Sequence, residues 1–225
     1  MKIVEPSYTI LRPCALDAVA RKDALHTVTD AARTCYKSTG TDDATLVAQL
    51  VRSGHEAMLE HYGLTVRFVV DRGVSHEIVR HRMASYAQES TRYCNYVKAK
   101  FGNDIMFVQP EAFEEGSARY EIWRDACEAA EWAYFALRKD GATPELARDV
   151  LPMSLKTELV MTANLREWRH FLALRAVGTT GKPHPQIRKV AAPLLRELAA
   201  WLPEVFDDLA QALDAAQRGD TPAHE

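Results

Sequence analysis

No CxxC pair, no GxGxxG fingerprint and no apolar run near the ~20 residues that span a bilayer occurs in this sequence. The missing glycine fingerprint excludes dinucleotide binding of the usual strand–turn–helix kind. Cysteine is sparse: Cys14, Cys35, Cys94 and Cys127 match no zinc-ligand spacing, and unpaired thiols point to a reducing compartment. Glu5 and Pro6 stand where a signal peptide needs an apolar core, so the expectation is a soluble, cytoplasmic protein with no membrane partner. Positive charge is not in excess either. The 28 Lys and Arg against 31 Asp and Glu leave a net charge of −3, which argues against a dedicated duplex nucleic-acid module. A local pocket for a small phosphorylated ligand stays open, because it needs only three or four well-placed arginines. Nothing in the 225 residues reads as a repeat, a low-complexity tract or a linker. One domain, 1–225, is expected, with 218–225 frayed.

What is present reads as an α/β chain rich in helix. Strands are predicted at 2–4 and 8–11, separated by Pro6, and a helix over 22–35. Thr41 is the expected N-cap of the next helix, with Asp42 and Asp43 at its positive end and Gly54 as its stop. Leu64, Val66, Phe68 and Val70 alternate with polar residues, so 62–71 is a strand with one buried face. A short helix over 74–82, a loop over 83–90 and strands at 91–97 and 107–108 follow. The segment 118–139 is an amphipathic helix carrying Tyr120, Trp123, Cys127, Ala130, Tyr134 and Leu137 on one side. Thr143-Pro144-Glu145 starts another helix, stopped by Pro152. A strand over 155–162, a helix over 165–175, a glycine-containing loop over 178–183 and a helical stretch over 185–217 complete the chain.

The most unusual stretch is Arg80-His81-Arg82-Met83-Ala84-Ser85-Tyr86-Ala87-Gln88-Glu89-Ser90-Thr91-Arg92-Tyr93. Guanidinium forks suit phosphate and carboxylate oxygens, and loop hydroxyls and amides can complete an anion cradle. A solvated charged turn is the commoner meaning of an RxR cluster. Here Ile78, Val79, Met83 and Tyr86 weave apolar groups among the polar ones, as in a partly buried ligand site.

Arg80-His81-Arg82, seven residues, then Ser90 and Arg92 resembles the signature of the ThyX family, the flavin-dependent thymidylate synthases. Gly54-His55-Glu56 with Glu60-His61, then 147–152 (ARDVLP), 162–166 (TANLR) and 171–175 (FLALR) resemble further blocks of that family, in its order. The resemblance implies a ThyX-like α+β fold with a mixed sheet. It also implies FAD as cofactor, NADPH and 5,10-methylenetetrahydrofolate as co-substrates, dUMP as substrate, and a homotetramer with shared active sites. By the same resemblance Ala57, Arg80, His81, Arg82, Gln88, Asn164, Arg166 and His170 contact FAD, and His55 lies in the folate region. Glu77, Ile78, Val79, Arg80, Gln88, Glu89, Ser90, Thr91, Arg92, Arg148 and Arg175 contact dUMP, with Arg92 and Arg148 on its phosphate. Ser90 hydrogen-bonds the nucleotide and is not assigned as a nucleophile, since no adjacent base activates it. Arg175 is the expected catalytic residue: a guanidinium beside the N3–O4 edge favours the enolate-like anion that hydride delivery to C6 creates. Glu77, Ala57, Ala87, Gln88 and His170 depart from residues common in the family.

Other readings stand beside this one. His55 and His61 lie six apart, and His76 and His81 five apart, which does not put either pair on one helix face, so no metal is expected. His61 and His76 read as hydrogen-bonded framework residues. Tyr120, Trp123, Tyr134 and Phe135 read as helix packing, not a flavin box, and Lys98 and Lys100 as a solvated face. For function, a related flavoenzyme acting on another pyrimidine nucleotide and a non-enzymatic nucleotide- or RNA-binding protein remain open alternatives.

Overall fold

The computed structural model describes residues 1–37, 39–40, 42–94, 96 and 104–218. Among these described residues six strands alternate with eight helices: β1 (Lys2–Val4), β2 (Ser7–Arg12), α1 (Ala18–Tyr36), α2 (Asp43–Arg52), β3 (Gly63–Asp71), α3 (Arg72–Ile78), β4 (Ala84–Gln88), β5 (Met106–Val108), α4 (Ala118–Lys139), α5 (Pro144–Ala147), β6 (Lys156–Asn164), α6 (Leu165–Leu172), α7 (Pro185–Trp201) and α8 (Pro203–Arg218). Two 3-10 turns, Glu56–His61 and Arg148–Val150, and a π turn, Ala173–Val177, lie between them. The strands form a four-stranded sheet in the order β2-β3-β6-β4 and a two-stranded parallel pair, β1 with β5. Phe107 of β5 also bridges antiparallel to Leu155. The expected mixed, helix-rich α/β fold is borne out.

The chain divides into two compact units. The first comprises Met1–Ser7, Phe68–Arg80 and Ala87–Val160. Its core is the apolar face of α4, where Tyr120, Trp123, Cys127 and Tyr134 are buried with Tyr96, Ile105, Phe107, Ala147 and Leu155. The helix begins where Ser117 accepts the Tyr120 amide, and the spacing of three and four keeps its large side chains on one stripe. Each buried aromatic contributes on the order of 2 kcal/mol, and the stripe is the packing surface that its periodicity predicts.

The second unit comprises Tyr8–Arg67, His81–Tyr86 and Met161–Glu225. Here α7 packs against α8 and against the π turn, and α6 against α8 and the first 3-10 turn. Asn164 caps α6 by accepting the Glu167 amide at 2.9 Å, and buried Trp168 donates its indole N–H to the Leu64 carbonyl at 3.2 Å. Buried Arg169 donates to Glu56 at 2.9 Å, to both Asp208 oxygens at 2.8 Å and to the Val205 carbonyl. One guanidinium thereby ties α6 to α8 and to the 3-10 turn.

Several boundaries differ from the sequence expectation. The predicted loop over 83–90 contains β4, whose residues are small or polar and carry no β-branched signal; pairing beside β6 makes it a strand. The predicted strand at 91–97 is a turn over 91–93, because the Ser90 carbonyl accepts the amides of Tyr93 and Cys94. Asn95, Val97, Lys98 and Lys100 lie outside the described residues, as does Thr41. The described cap of α2 is Asp42, which accepts the Thr45 amide at 3.0 Å. Helix α3 starts earlier than expected, at Asp71, whose carboxylate accepts the Val74 amide at 2.7 Å, and ends at Ile78. Arg148–Val150 winds as a 3-10 turn, so α5 ends at Ala147, short of Pro152. The C-terminal stretch is two helices broken at Leu202-Pro203, where proline withholds an amide proton and restrains its predecessor. His61 and His76 are exposed, so the framework reading of these histidines is not upheld.

Removing the Arg169 clamp leaves two carboxylates and a carbonyl without their donor. Asp208 is half exposed and can recover water, so Arg169→Met is expected to cost about 2–4 kcal/mol, below the full penalty for a broken buried pair. Urea unfolding followed by circular dichroism checks it: the midpoint should fall with an unchanged m value.

Candidate active site

In the second unit, helix α6 buries Leu165, Trp168, Phe171 and Leu172 and turns other side chains onto a cavity of about 460 Å³. Asn164, Arg166, Glu167 and His170 line it with Glu60 and Met83. The volume suits a ring system or small ligand. Arg166 sits at its exposed side, paired with Glu60 at 2.6 Å. Arg169 also lines the cavity, but its donors are spent on Glu56, Asp208 and Val205.

Beside these residues lies His81, 4% exposed. Its imidazole Nε2 accepts from Arg175 Nε at 3.2 Å, so Nε2 carries no proton. Phe171 packs edge-on against the ring with centroids 4.9 Å apart, and the Tyr86 hydroxyl donates to the His81 carbonyl at 2.6 Å. Burial first, then the charges of Arg175 and His170, hold the imidazole pKa down to about 4. Glu167 faces Nδ1 at 3.3 Å, off the direction a hydrogen bond needs, and Nδ1 has no hydrogen bond among the described residues. Burial pushes the Glu167 carboxyl up, against the lowering effect of His170. The His81–Glu167 contact is therefore a neutral imidazole against a carboxyl group and not an ion pair.

Donor atoms of His81, Glu167 and His170 lie within 4.8 Å of one another, a grouping that the histidine spacings do not reveal. The Arg175 guanidinium already occupies one imidazole nitrogen and repels a cation, which disfavours a metal at this cluster. Arg175 itself rides on the π turn, closed where the Gly178 amide donates to the Ala173 carbonyl at 2.8 Å. Gly178 has φ +93, and a Cβ there would stand 2.7 Å from Pro183 Cδ and 2.8 Å from the Gly181 carbonyl oxygen. Only glycine closes this turn without strain.

The first unit holds a separate cluster. Arg148 donates to the buried Thr91 hydroxyl at 3.1 Å, and Ser90 Oγ accepts the Arg92 amide at 3.3 Å. Arg92 pairs with Glu145 at 2.8 Å, both half exposed. Turn amides, hydroxyls and two guanidinium groups are the components of an anion cradle. Lys156 braces the segment from below, donating to Glu89 at 3.0 Å and Glu158 at 2.8 Å. Burial would lower its ammonium pKa, but these two carboxylates outweigh it and the pKa is raised. The Gln88 amide is committed to Ser75 at 2.9 Å and Thr157 at 3.3 Å.

Asn164, Arg166 and His170 thus share one cavity, with His81 beside His170 and Arg175 bonded to His81. His55 and Ala57 line a different one, of about 330 Å³, with Ala32, Cys35, Leu46 and Leu50. Arg80 and Arg82 are exposed, Ile78 is wholly buried, and Val79 and Glu77 are half-buried on the end of α3. Glu167, Arg169 and Lys156 were not singled out from sequence. Glu167 three residues after Asn164 has the pattern of a helix-capping box, which hides it.

Arginines stand beside hydroxyls in the first unit, and beside an imidazole near a cavity in the second, groups able to pair with anionic ring compounds. The family model described as thymidylate synthase complementing protein matches residues 18–204, and the chain belongs to that family. The flavin-dependent thymidylate synthase of Geobacter sulfurreducens is 33% identical over 189 residues, covering 79% of this chain and 78% of its own. That of Mycolicibacterium gilvum is 34% identical over 201 residues, covering 79% and 76%. Among solved structures, the UMP/dUMP methylase PolB from Streptomyces cacaoi, bound with 5-Br UMP, matches with a TM-score of 0.73 at 25% identity, covering 94% of this chain and 97% of that one.

Between about pH 6.5 and pH 4 the unfolded chain takes up a proton at His81 that the folded chain excludes, so stability falls as pH drops through that window. The loss is on the order of 3 kcal/mol. His81→Gln cannot titrate and is expected to flatten that part of the pH–stability curve. Urea midpoints measured across the window check this, and equal slopes for the two proteins would refute it.

Proposed function

We propose that this chain converts dUMP to dTMP by reductive methylation, as a flavin-dependent thymidylate synthase using 5,10-methylenetetrahydrofolate as carbon donor and NADPH-reduced FAD as hydride source. The observation that carries this reading is family membership over residues 18–204, the span that holds every block of the motif set. The cavity on α6 fits part of such a cofactor: an exposed guanidinium for a phosphate, and an imidazole and an amide on a ring-sized wall. Arg166, Asn164 and His170 are its proposed contacts there, with Arg80, His81, Arg82, Ala57 and Gln88 completing the flavin set. His55 is assigned to the folate region. When bound, reduced FAD supplies the hydride; the protein's part is to bind, orient and place charge.

For dUMP, Arg92 and Arg148 with the hydroxyls of Ser90 and Thr91 take the phosphate. Glu77, Ile78, Val79, Arg80, Gln88 and Glu89 contribute around the nucleotide, Ile78 through its main chain because its side chain is buried. Arg175 faces the pyrimidine, where a fixed guanidinium stabilises the ring anion formed during reduction. In the proposed homotetramer these sets need not come from one chain. Among the described residues no helix is long and apolar enough to cross a membrane. A cytoplasmic location belongs to the proposal. The reading treats 1–225 as one catalytic domain.

A second pyrimidine substrate has one specific support, the likeness to a methylase named for both UMP and dUMP. The deciding experiment offers the purified protein dUMP, UMP or dCMP with methylenetetrahydrofolate and NADPH and identifies the product. A yellow protein that makes dTMP is expected; a colourless protein inert to all three overturns the proposal. Arg175→Met is expected to lower kcat by about 100-fold or more while the protein stays folded and yellow, the loss typical of a preorganised charge. Arg148→Met should raise KM for dUMP by about 10- to 100-fold with a smaller effect on kcat, the cost of lost charge-assisted phosphate bonds. Steady-state kinetics with varied dUMP separates the two.

A further inference from the structure

Arg175 can act on a pyrimidine only if its guanidinium is held at one orientation, and the structure shows what holds it. Its Nε–H points at His81 Nε2, 3.2 Å away. That contact exists in only one form of the imidazole. A neutral histidine carries its proton on either nitrogen, and the hydrogen bond made by one nitrogen sets the state of the other. With the proton on Nε2, two N–H groups would confront each other and Arg175 would be turned away. With the proton on Nδ1, Nε2 offers its lone pair and Arg175 is retained.

Something must therefore favour Nδ1–H in a ring that is 4% exposed and sealed by Phe171. A buried N–H without an acceptor is costly, and no hydrogen bond reaches Nδ1 among the described residues. The acceptor-bearing group that faces it is the Glu167 carboxyl, with Oε1 at 3.3 Å and its side chain about 10% exposed. At that distance the carboxyl oxygen is within reach of an Nδ1–H, although it stands off the hydrogen-bond line. Glu167 is held for this purpose at its main chain, where Asn164 accepts its amide at the first turn of α6. On the other side, the π turn closed by Gly178 holds the backbone of Arg175. Both ends of the row Glu167, His81, Arg175 are anchored, and the imidazole is its middle.

We propose that Glu167 is a positioning residue: its carboxylate accepts from His81 Nδ1–H, fixes the imidazole tautomer, and so keeps Nε2 as the acceptor that orients the Arg175 guanidinium. This rests on the reading of Arg175 as the residue that faces the pyrimidine, and it adds the device that aims it. Glu167 touches neither substrate nor reacting atoms in this role. The neutrality of His81 far below physiological pH agrees with the row, because a doubly protonated ring would expel Arg175.

The test reads the tautomer directly, without cofactor or turnover. In protein labelled with 15N-histidine, the His81 ring signals are assigned by their loss in His81→Gln. The unsubstituted protein is expected to show Nδ1 protonated and Nε2 bare; the opposite tautomer overturns the proposal, with no variant needed. In Glu167→Leu, which keeps bulk and removes the acceptor, the two signals should move toward each other as the Nε2–H form becomes populated. Glu167→Gln, which keeps an acceptor oxygen, should restore much of the original spectrum. His81 signals unmoved in Glu167→Leu overturn the proposal. In the reconstituted enzyme Glu167→Leu should lower kcat by about tenfold, the scale usual for a group that orients a functional imidazole, with KM for dUMP changed less than about twofold. If the signals move and turnover does not, the row stands and the assignment of Arg175 to the pyrimidine falls.

Discussion

A guanidinium cannot be buried without acceptors, and the cost of leaving one unpaired fixes the geometry of the second unit. Arg169 meets four acceptor atoms on three residues, from α8 and the 3-10 turn Glu56–His61. That requirement sets where α8 and the 3-10 turn Glu56–His61 lie against α6. Once α6 is fixed, its remaining polar positions have no freedom of address: Arg166 and His170 face the cavity, and Glu167 faces His81. A residue with no part in binding thus determines where the binding residues stand.

The same helix shows how polar and apolar demands are met together. Leu165, Trp168, Phe171 and Leu172 bury one side, and Phe171 also closes the edge of the His81 ring. Excluding water from that ring keeps the imidazole neutral, and a neutral imidazole is what can accept from Arg175. Hydrophobic packing here has an electrostatic consequence, because it sets a protonation state and the protonation state sets a hydrogen bond.

Much of the fold was legible from spacing. The stripe on α4 appears with the predicted ends, 118 and 139, because a long period of three and four leaves no other way to bury Tyr120, Trp123 and Tyr134. β3 follows from strict alternation over Leu64, Val66, Phe68 and Val70, which are all buried. β4 did not show itself, since Ala84-Ser85-Tyr86-Ala87-Gln88 has no intrinsic preference strong enough to override its look as a loop; strand order made it a strand. Of the candidate site, the arginines were legible as residue types and by resemblance. Their partners were not. Nothing local couples Arg148 to Thr91 or Arg175 to His81, and contacts between distant segments leave no periodic trace.

The π turn is the clearest case of information that periodicity hides. Residues 165–175 read as one α-helix, and in an α-helix Arg175, seven positions after Trp168, would lie within about 20° of that buried indole. A guanidinium there would enter the apolar core. The wider winding over Ala173–Val177 delays the register, so that Ala176 takes the buried place and Arg175 comes round half-exposed, to the imidazole. The cost is an irregular hydrogen-bond pattern that needs Gly178 at positive φ to close it. Insertions of this kind recur at functional sites because they re-aim one side chain while the helix on either side keeps its packing. An apolar pattern in sequence records which residues are buried; it does not record a change of phase made to deliver a single charge.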